Sequence, residues 1–125
     1  MMSSVWRGEI QDEEDVIAAR QHARGMAREL GFGITDQTRI ATAVSEMARL
    51  MLPTRGALAL ATVIGSARKG LECACSLGGP IPGTMSSSGG TEAVRILQGV
   101  QQLMDDVAME SRGWGTTIAM RKWVR

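Results

Sequence analysis

Aromatic residues are scarce in this chain of 125 residues, which contains one Phe, three Trp and no Tyr. Proteins that bind single-stranded nucleic acid use several aromatic rings on which the bases stack, so the composition disfavours that class. The formal net charge is only +1, from 14 basic and 13 acidic residues. Because no block of Lys or Arg stands out either, we expect no nucleic-acid partner.

Cysteine and histidine are also rare, with two Cys and one His in the whole chain. Cys73 and Cys75 are separated by one residue in a segment typical of a strand, which is too close for an ordinary disulfide framework. With His22 as the only possible helper, a zinc site lacks ligands. We therefore expect two buried, reduced thiols in a cytoplasmic protein.

Long apolar runs are missing as well. The first ten residues, MMSSVWRGEI, contain no apolar core of a signal peptide. No segment approaches the roughly 20 apolar residues of a membrane-spanning helix, so we expect no membrane partner. The length of 125 residues and the hydrophobic fraction of 44% predict a single folded domain over residues 1–125.

The patterns that are present predict a definite order of strands and helices. A short strand at Val5 to Ile10 precedes a helix that starts in the acidic run Gln11 to Asp15 and stops at Gly31. The remaining predictions are a second helix over 35–51, two strands with a turn at 67–70, a long loop over 78–90, a third apolar stripe reaching Val107, and a final hairpin. This order predicts an α+β fold, a two-layer α/β sandwich with a mixed, mostly antiparallel sheet and helices on one face.

The second helix organises the chain. Thr35 and Asp36 form a start signal, because a side-chain oxygen and a negative charge favour the beginning of a helix. An apolar stripe then recurs at helical spacing, and Glu46 lies beside it, one turn before Leu50. A solvated glutamate on a core helix is the ordinary interpretation of such a residue.

Three strings extend this observation over nearly the whole chain. They are DQTRIATAVSEMAR (Asp36 to Arg49), LQGVQQLMDD (Leu97 to Asp106) and GTTIAMRKW (Gly115 to Trp123). Together with the order of elements, they resemble the GHKL (histidine-kinase-like ATPase) fold. Within that fold they are similar to the small serine/threonine kinases of bacterial anti-sigma switches, including the stressosome switch kinases. The resemblance implies a nucleotide site with three sequence boxes.

In that family, the first box supplies a glutamate that acts as general base and, one turn later, an asparagine that binds Mg²⁺. Glu46 matches the glutamate, which makes it the candidate catalytic residue. The asparagine position is Leu50. Because Mg²⁺ requires oxygen ligands, we expect no metal ligand at this position.

The other two boxes also differ from the family pattern. The aspartate that accepts from the adenine amino group aligns with Ser76, and the following glycine aligns with Gly78. Val94 to Leu97 align with the glycines that wrap the phosphates, in a stretch that itself predicts an uninterrupted helix. Gly89 and Gly90 lie upstream of these residues, so a phosphate loop shifted to the two glycines is an alternative. Thr116 matches the adenine-facing threonine of the family. The candidate nucleotide-binding residues are therefore Ser76, Gly78 and Thr116.

The resemblance therefore favours a regulatory protein that has lost ATP binding and kinase activity, with no cofactor. Such a protein would bind a STAS-domain antagonist or another partner-switching protein. The alternative is an active serine/threonine kinase that uses ATP and Mg²⁺ to phosphorylate a STAS-domain serine, with Glu46 as base. A small-ligand or structural role and a homodimer remain open.

Two surface features are candidates for partner binding. Arg20, Arg24 and Arg28 recur every fourth residue on the first helix and form a basic ridge, although a solvated helix face is the ordinary explanation. Arg20 and Arg24 are its first candidates. Trp114 lies in the last hairpin turn and is either a partner anchor or packed on the sheet. The 78–90 loop corresponds to the nucleotide lid of the family or is a flexible connection.

Overall fold

The computed structural model describes residues 5–54, 56–77, 89–112 and 115–125, without the side chains of 89–93 and 112. The elements follow in the order β1 (Val5–Glu9), α1 (Glu13–Leu30), α2 (Ile34–Met51), β2 (Ala57–Ile64), β3 (Lys69–Leu77), α3 (Gly89–Leu103), β4 (Asp106–Arg112) and β5 (Gly115–Trp123). A single 3-10 turn, Leu52–Thr54, follows α2. The predicted order of strands and helices is confirmed.

The five strands form one sheet in the order β1-β2-β3-β5-β4, and its four strand pairs are all antiparallel. The α+β fold is confirmed, but no parallel pair is found among these described strands, as a mixed sheet would contain. The reason is the path of the chain. α1 and α2 return it to the sheet in the opposite direction, and β5 is inserted between β3 and β4, which run the same way.

α1 begins and ends at residues that the sequence identifies. The Asp12 side chain accepts a hydrogen bond from the backbone N–H of Asp15 at 3.0 Å, and the Asp15 side chain accepts from that of Asp12 at 3.2 Å. This reciprocal pair is a capping box. At the other end, Gly31 has a φ of 96°, a left-handed conformation that glycine adopts without steric cost. The predicted stop is confirmed.

α2 begins one residue earlier than the sequence suggests. Gly33 is its N-cap, and the Gly33 carbonyl accepts from the backbone N–H of Gln37 at 2.9 Å. Thr35 and Asp36 therefore lie in the first turn, as the start signal predicts, although Thr35 is not the N-cap. The Gln37 amide side chain donates to the carbonyl of Phe32 at 2.8 Å, which ties the incoming chain to the helix. No side chain of the described residues caps the first turn of α2.

α3 also differs from its predicted bounds, since it covers Gly89–Leu103 and ends before Val107. The backbone N–H of Met104 still donates to the carbonyl of Val100 at 3.0 Å, and that of Asp105 donates to Arg121 of β5 at 2.9 Å. Val107 pairs with Met120 in the β4–β5 ladder. Its spacing fits the helical stripe, but the pairing with β5 determines its structure.

One hydrophobic core joins the helices to one face of the sheet. Alternate residues of β3 are buried in it, namely Leu71, Cys73, Cys75 and Leu77. The prediction that both thiols are buried is confirmed: their sulfur atoms are 3.9 Å apart. The side-chain hydrogen bond shared with Cys75, burial and nearby charge together raise the pKa of Cys73, which keeps this thiol protonated. Among the described residues, no helix is long and apolar enough to cross a membrane.

Candidate nucleotide site and partner surface

Glu46, the candidate general base, lies on α2 at the boundary between core and solvent. Its side chain is 41% exposed, and its carboxylate is 3.7 Å from Arg49 on the next turn. Arg49 also contacts Glu13 at the start of α1, at 3.2 Å. The Glu46 carboxylate is therefore part of a chain of exposed charges that connects two helices. These ion pairs by themselves explain why a glutamate is tolerated at position 46, without a substrate.

Leu50, one turn further along α2, points into the core. Only 7% of it is exposed, and it belongs to the same hydrophobic cluster as Met47 and Met51. At the position where the resemblance implies a metal-binding amide, this side chain is a hydrocarbon that excludes water. Mg²⁺ keeps several water molecules and oxygen ligands, so this environment does not suit the ion.

Thr116, at the adenine-facing position of the family, is buried at the start of β5 with 2% of its surface exposed. The hydroxyls of Thr116 and Ser111 share a hydrogen bond of 2.9 Å across the β4–β5 pair. On its other side, Thr116 pairs with Leu77, the last residue of β3. Leu77 is 4% exposed and faces the helices. A hydrocarbon therefore lies beside the threonine.

Ser76 is not in this group. It is exposed, and its neighbours Cys75 and Leu77 are buried, so its side chain points to the sheet face away from the helices. The alignment placed it at the adenine-binding position, but the alternation of β3 separates it from Thr116. The residue that sequence reasoning missed is Leu77. Alternation along a strand is the signal that groups Leu77 with Leu71, Cys73 and Cys75, but it does not show which of these residues meets Thr116.

α2 reaches this part of the sheet with its C-terminal turn. The backbone N–H of Gly56 donates to the carbonyl of Met51, and a Cβ at Gly56 would lie 2.5 Å from the carbonyl of Ser76. We call the group Leu50, Leu77 and Thr116 the nucleotide end of the molecule. Its side chains offer a single hydroxyl, and that hydroxyl already has a partner.

The third box has no loop form at the residues aligned with it. Val94 to Leu97 lie inside α3, as the uninterrupted apolar pattern predicts. Val94 is 48% exposed, whereas Ile96 and Leu97 pack against the core. The backbone of Gly89 and Gly90 forms the first turn of the same helix. Gly78, most of the 78–90 loop and Trp114 lie outside the described residues.

The opposite end of β5 is polar and buried. Lys122, with its side chain 7% exposed, donates to the carbonyl of Leu103 at the end of α3, at 2.9 Å. Its ammonium is also 3.8 Å from Asp36 of α2 and 3.9 Å from Asp105. We call Asp36, Asp105 and Lys122 the lysine end. Partial burial opposes ionisation of Asp105, but hydrogen bonds from the Trp123 backbone and Arg125, with the Lys122 charge, lower its pKa.

The basic ridge on α1 is exposed along its length. Arg20, Arg24 and Arg28 are all accessible, and none of them takes part in an ion pair with another described residue. Ile17, one turn before, is 38% exposed on the same helix. His22 lies elsewhere on α1, where it stacks on Trp6 of β1 with ring centres 4.8 Å apart. The described residues contain no cluster of three metal-binding side chains.

No family model matches the chain. The chain is 41% identical to the serine/threonine-protein kinase RsbT of Bacillus subtilis (strain 168) over 127 residues, covering 93% of this chain and 94% of that protein. A crystal structure of the RsbU and RsbW domains of Rv1364c from Mycobacterium tuberculosis is similar in fold, with a TM-score of 0.68 and 13% identity. The match covers 95% of this chain and 32% of that longer one.

Proposed function

Because the chain belongs to the family of the serine/threonine-protein kinase RsbT, we propose that it is a degenerate, kinase-like regulatory protein of a bacterial stress or sigma-factor pathway. It acts by binding a partner-switching protein, of which a STAS-domain antagonist is the first candidate. It does not use ATP. The role in partner switching follows from the family; the loss of ATP use is the new element.

The burial of Leu50 is the observation that carries the proposal. Leu50 is 7% exposed and lies inside the core, so its side chain brings neither an oxygen ligand nor a bound water to a cation. Without Mg²⁺, the charge that develops on a transferred phosphoryl group loses its main compensation. Leu77 adds a second loss, since a hydrocarbon beside Thr116 cannot accept from an adenine amino group. The residues present therefore do not fit Mg²⁺ and ATP, and no phosphoryl-transfer step is derived from them.

A titration with a fluorescent ATP analogue and Mg²⁺ tests the loss of nucleotide binding. We expect no Mg²⁺-dependent binding by the unmodified chain. Leu50→Asn with Leu77→Asp restores an oxygen at both inward positions, and binding should return only in this double variant. Leu50→Asn with Ser76→Asp is the matched control, because residue 76 lies on the other face of the same strand. Tight Mg²⁺-dependent binding by the unmodified chain would overturn the proposal.

An active kinase is the second candidate, and the retained Glu46 is the observation that favours it. Its carboxylate is 41% exposed, so solvent and a partner can reach it. In this alternative, Glu46 would act as general base for a STAS-domain serine, with ATP and Mg²⁺ as cofactors. Transfer of labelled γ-phosphate to a STAS-domain protein, abolished by Glu46→Gln, would establish it.

The basic ridge on α1 is the proposed docking surface. Arg20 and Arg24 are exposed and lie outside the described ion pairs, so their charge is available to an acidic partner surface. Reversing both charges, as Arg20→Glu with Arg24→Glu, should weaken binding to a STAS-domain partner at least tenfold. The control is Arg39→Glu, since Arg39 already contacts Asp36 on its own helix at 3.2 Å. Equal losses in both variants would argue against the ridge. Trp114 remains a further candidate contact.

A further inference from the structure

An open groove of about 390 Å³ lies at the turn between β2 and β3, far from the nucleotide end. It is lined by Ile64, Gly65, Ala67, Arg68, Lys69 and Val124, and we call it the turn groove. Ile64, the last residue of β2, is 43% exposed and presents an aliphatic side chain to the groove. Thr116 and the groove lie at opposite ends of β5, about 23 Å apart at the rise of a strand.

The indole ring of Trp123 lies next to the turn groove and is held in place on three sides. Arg68 lies over the indole ring of Trp123, with its guanidinium carbon 3.8 Å from the ring centre. The indole N–H donates to Asp106 at 3.0 Å. Gly70 pairs with Trp123, and a Cβ there would lie 2.8 Å from the ring, so only glycine leaves room for it. Arg68 therefore stacks on a fixed surface.

The charges around the turn groove are divided into two kinds. Arg121, Lys122 and Arg125 each contact a carboxylate of this chain, on Glu72, on Asp36 and Asp105, and on Asp105 respectively. Arg68 and Lys69, which line the groove, take part in none of the ion pairs between described residues. The positive charge at the groove is therefore not neutralised within the described structure.

We propose that the turn groove is a second docking site, which binds an acidic segment of a partner protein. The segment places an aliphatic side chain against Ile64 and Val124 and a carboxylate on Arg68. A stacked guanidinium can form two parallel hydrogen bonds with a carboxylate, and its stacking lowers the entropy lost on binding. The site is separate from both the nucleotide end and the basic ridge of α1, so one partner can occupy the groove whatever is bound elsewhere.

The test uses a panel of acetylated and amidated hexapeptides, in which one Leu or Ile is flanked by Asp or Glu at each spacing. A second panel has Asn or Gln at the acidic positions. We expect members of the acidic panel to bind the full chain and to shift the amide resonances of residues 64–69 and 123–125 in NMR spectra. Because a charge-assisted pair is roughly twice as strong as a neutral one, the neutral panel should bind at least tenfold more weakly.

Matched variants assign the binding to the groove. Arg68→Gln and Ile64→Ala should each weaken the best peptide about tenfold, whereas Arg95→Gln, at an exposed arginine on α3, should leave its affinity unchanged. Thermal unfolding of each variant shows that it is folded. The proposal is overturned if neither panel binds, if the neutral panel binds equally well, or if Arg95→Gln weakens binding as much as Arg68→Gln. Binding to anionic lipid vesicles in preference to the peptides would also overturn it.

Discussion

The two ends of β5 differ in the chemistry of the side chains that surround them. At the nucleotide end, Thr116 lies beside Leu77, and Leu50 is buried in the core. At the lysine end, Lys122 lies among two carboxylates and the last carbonyl of α3. The first end is lined mainly by hydrocarbon, and the second buries charges together with their partners. Specific polar contacts therefore constrain the fold at the lysine end, whereas the nucleotide end is held mainly by apolar packing.

The largest effect is expected at the lysine end. Lys122→Met removes the ammonium and leaves two partly buried carboxylates and the carbonyl of Leu103 without it. We expect the free energy of unfolding to fall by about 3 kcal/mol, since breaking a buried pair leaves uncompensated charge. Urea denaturation measures the change. Arg121→Met is the control, because the Arg121–Glu72 pair is half-exposed and contributes about 1 kcal/mol or less.

If both substitutions cost the same, the lysine end is not a buried network in solution and the contrast between the two ends fails. A second measurement shows where in the structure the stability is lost. Hydrogen exchange in Lys122→Met should increase most at the end of α3, because Lys122 donates to the carbonyl of Leu103 there.

A slightly smaller loss is expected at the nucleotide end. Leu50→Asn places an amide among hydrophobic side chains, and we expect the free energy of unfolding to fall by about 2–3 kcal/mol. Ile34→Asn is the control on the same helix, because Ile34 is 76% exposed and should change stability by less than about 0.5 kcal/mol. A tolerated asparagine at position 50 would mean that this side chain is not packed in the core in solution, and the contrast between the two ends would fail.

Thr116→Val should have a moderate effect. It removes the hydroxyl that shares a hydrogen bond with Ser111, and we expect a loss of about 1 kcal/mol in thermal or urea unfolding. Thr117→Val, on the exposed face of the same strand, should be nearly neutral or slightly stabilising. If Thr116→Val leaves stability unchanged, then this hydroxyl is not kept for the fold, and a ligand becomes the better explanation for it.

The smallest effect is expected in the dependence of the unfolding free energy on acidic pH. Because the pKa of Asp105 is lowered in the folded protein, its ionised form stabilises the fold above the ordinary aspartate pKa of about 3.9. That contribution is lost as the pH falls further, through the lowered value. Asp105→Asn should therefore flatten the decrease in unfolding free energy between about pH 4 and pH 2. Arg125→Gln should flatten it partly, since Arg125 is one of the groups that lower the pKa. An unchanged slope in Asp105→Asn would contradict this assignment.

Local patterns predicted much of the fold because they report local physics. Gly31 ends α1 because only a residue without Cβ adopts its left-handed conformation freely, and this can be read from the chain alone. The alternation along β3 likewise predicted which residues face the core. The errors arose where two local patterns competed. Val107 fits a helical stripe as well as a strand, and pairing with Met120 determined the outcome.

The candidate site was predicted less completely than the fold. The family resemblance identified Glu46, Leu50 and Thr116 as the positions to examine, but string alignment could not determine which face of β3 meets Thr116. A shift of one residue in a strand moves a side chain to the opposite face. Only the pairing of Leu77 with Thr116 distinguishes it from Ser76. Gly78 and Trp114 remain predictions.

The sequence by itself determined the order of elements and pointed to the family, since these depend on residue identity and on spacing within a few turns. The tertiary structure decided which distant side chains meet. Asp36 and Lys122 are far apart in the sequence, and so are Val124 and the β2–β3 turn, which line the same groove. Such contacts depend on packing between elements, which no local periodicity encodes.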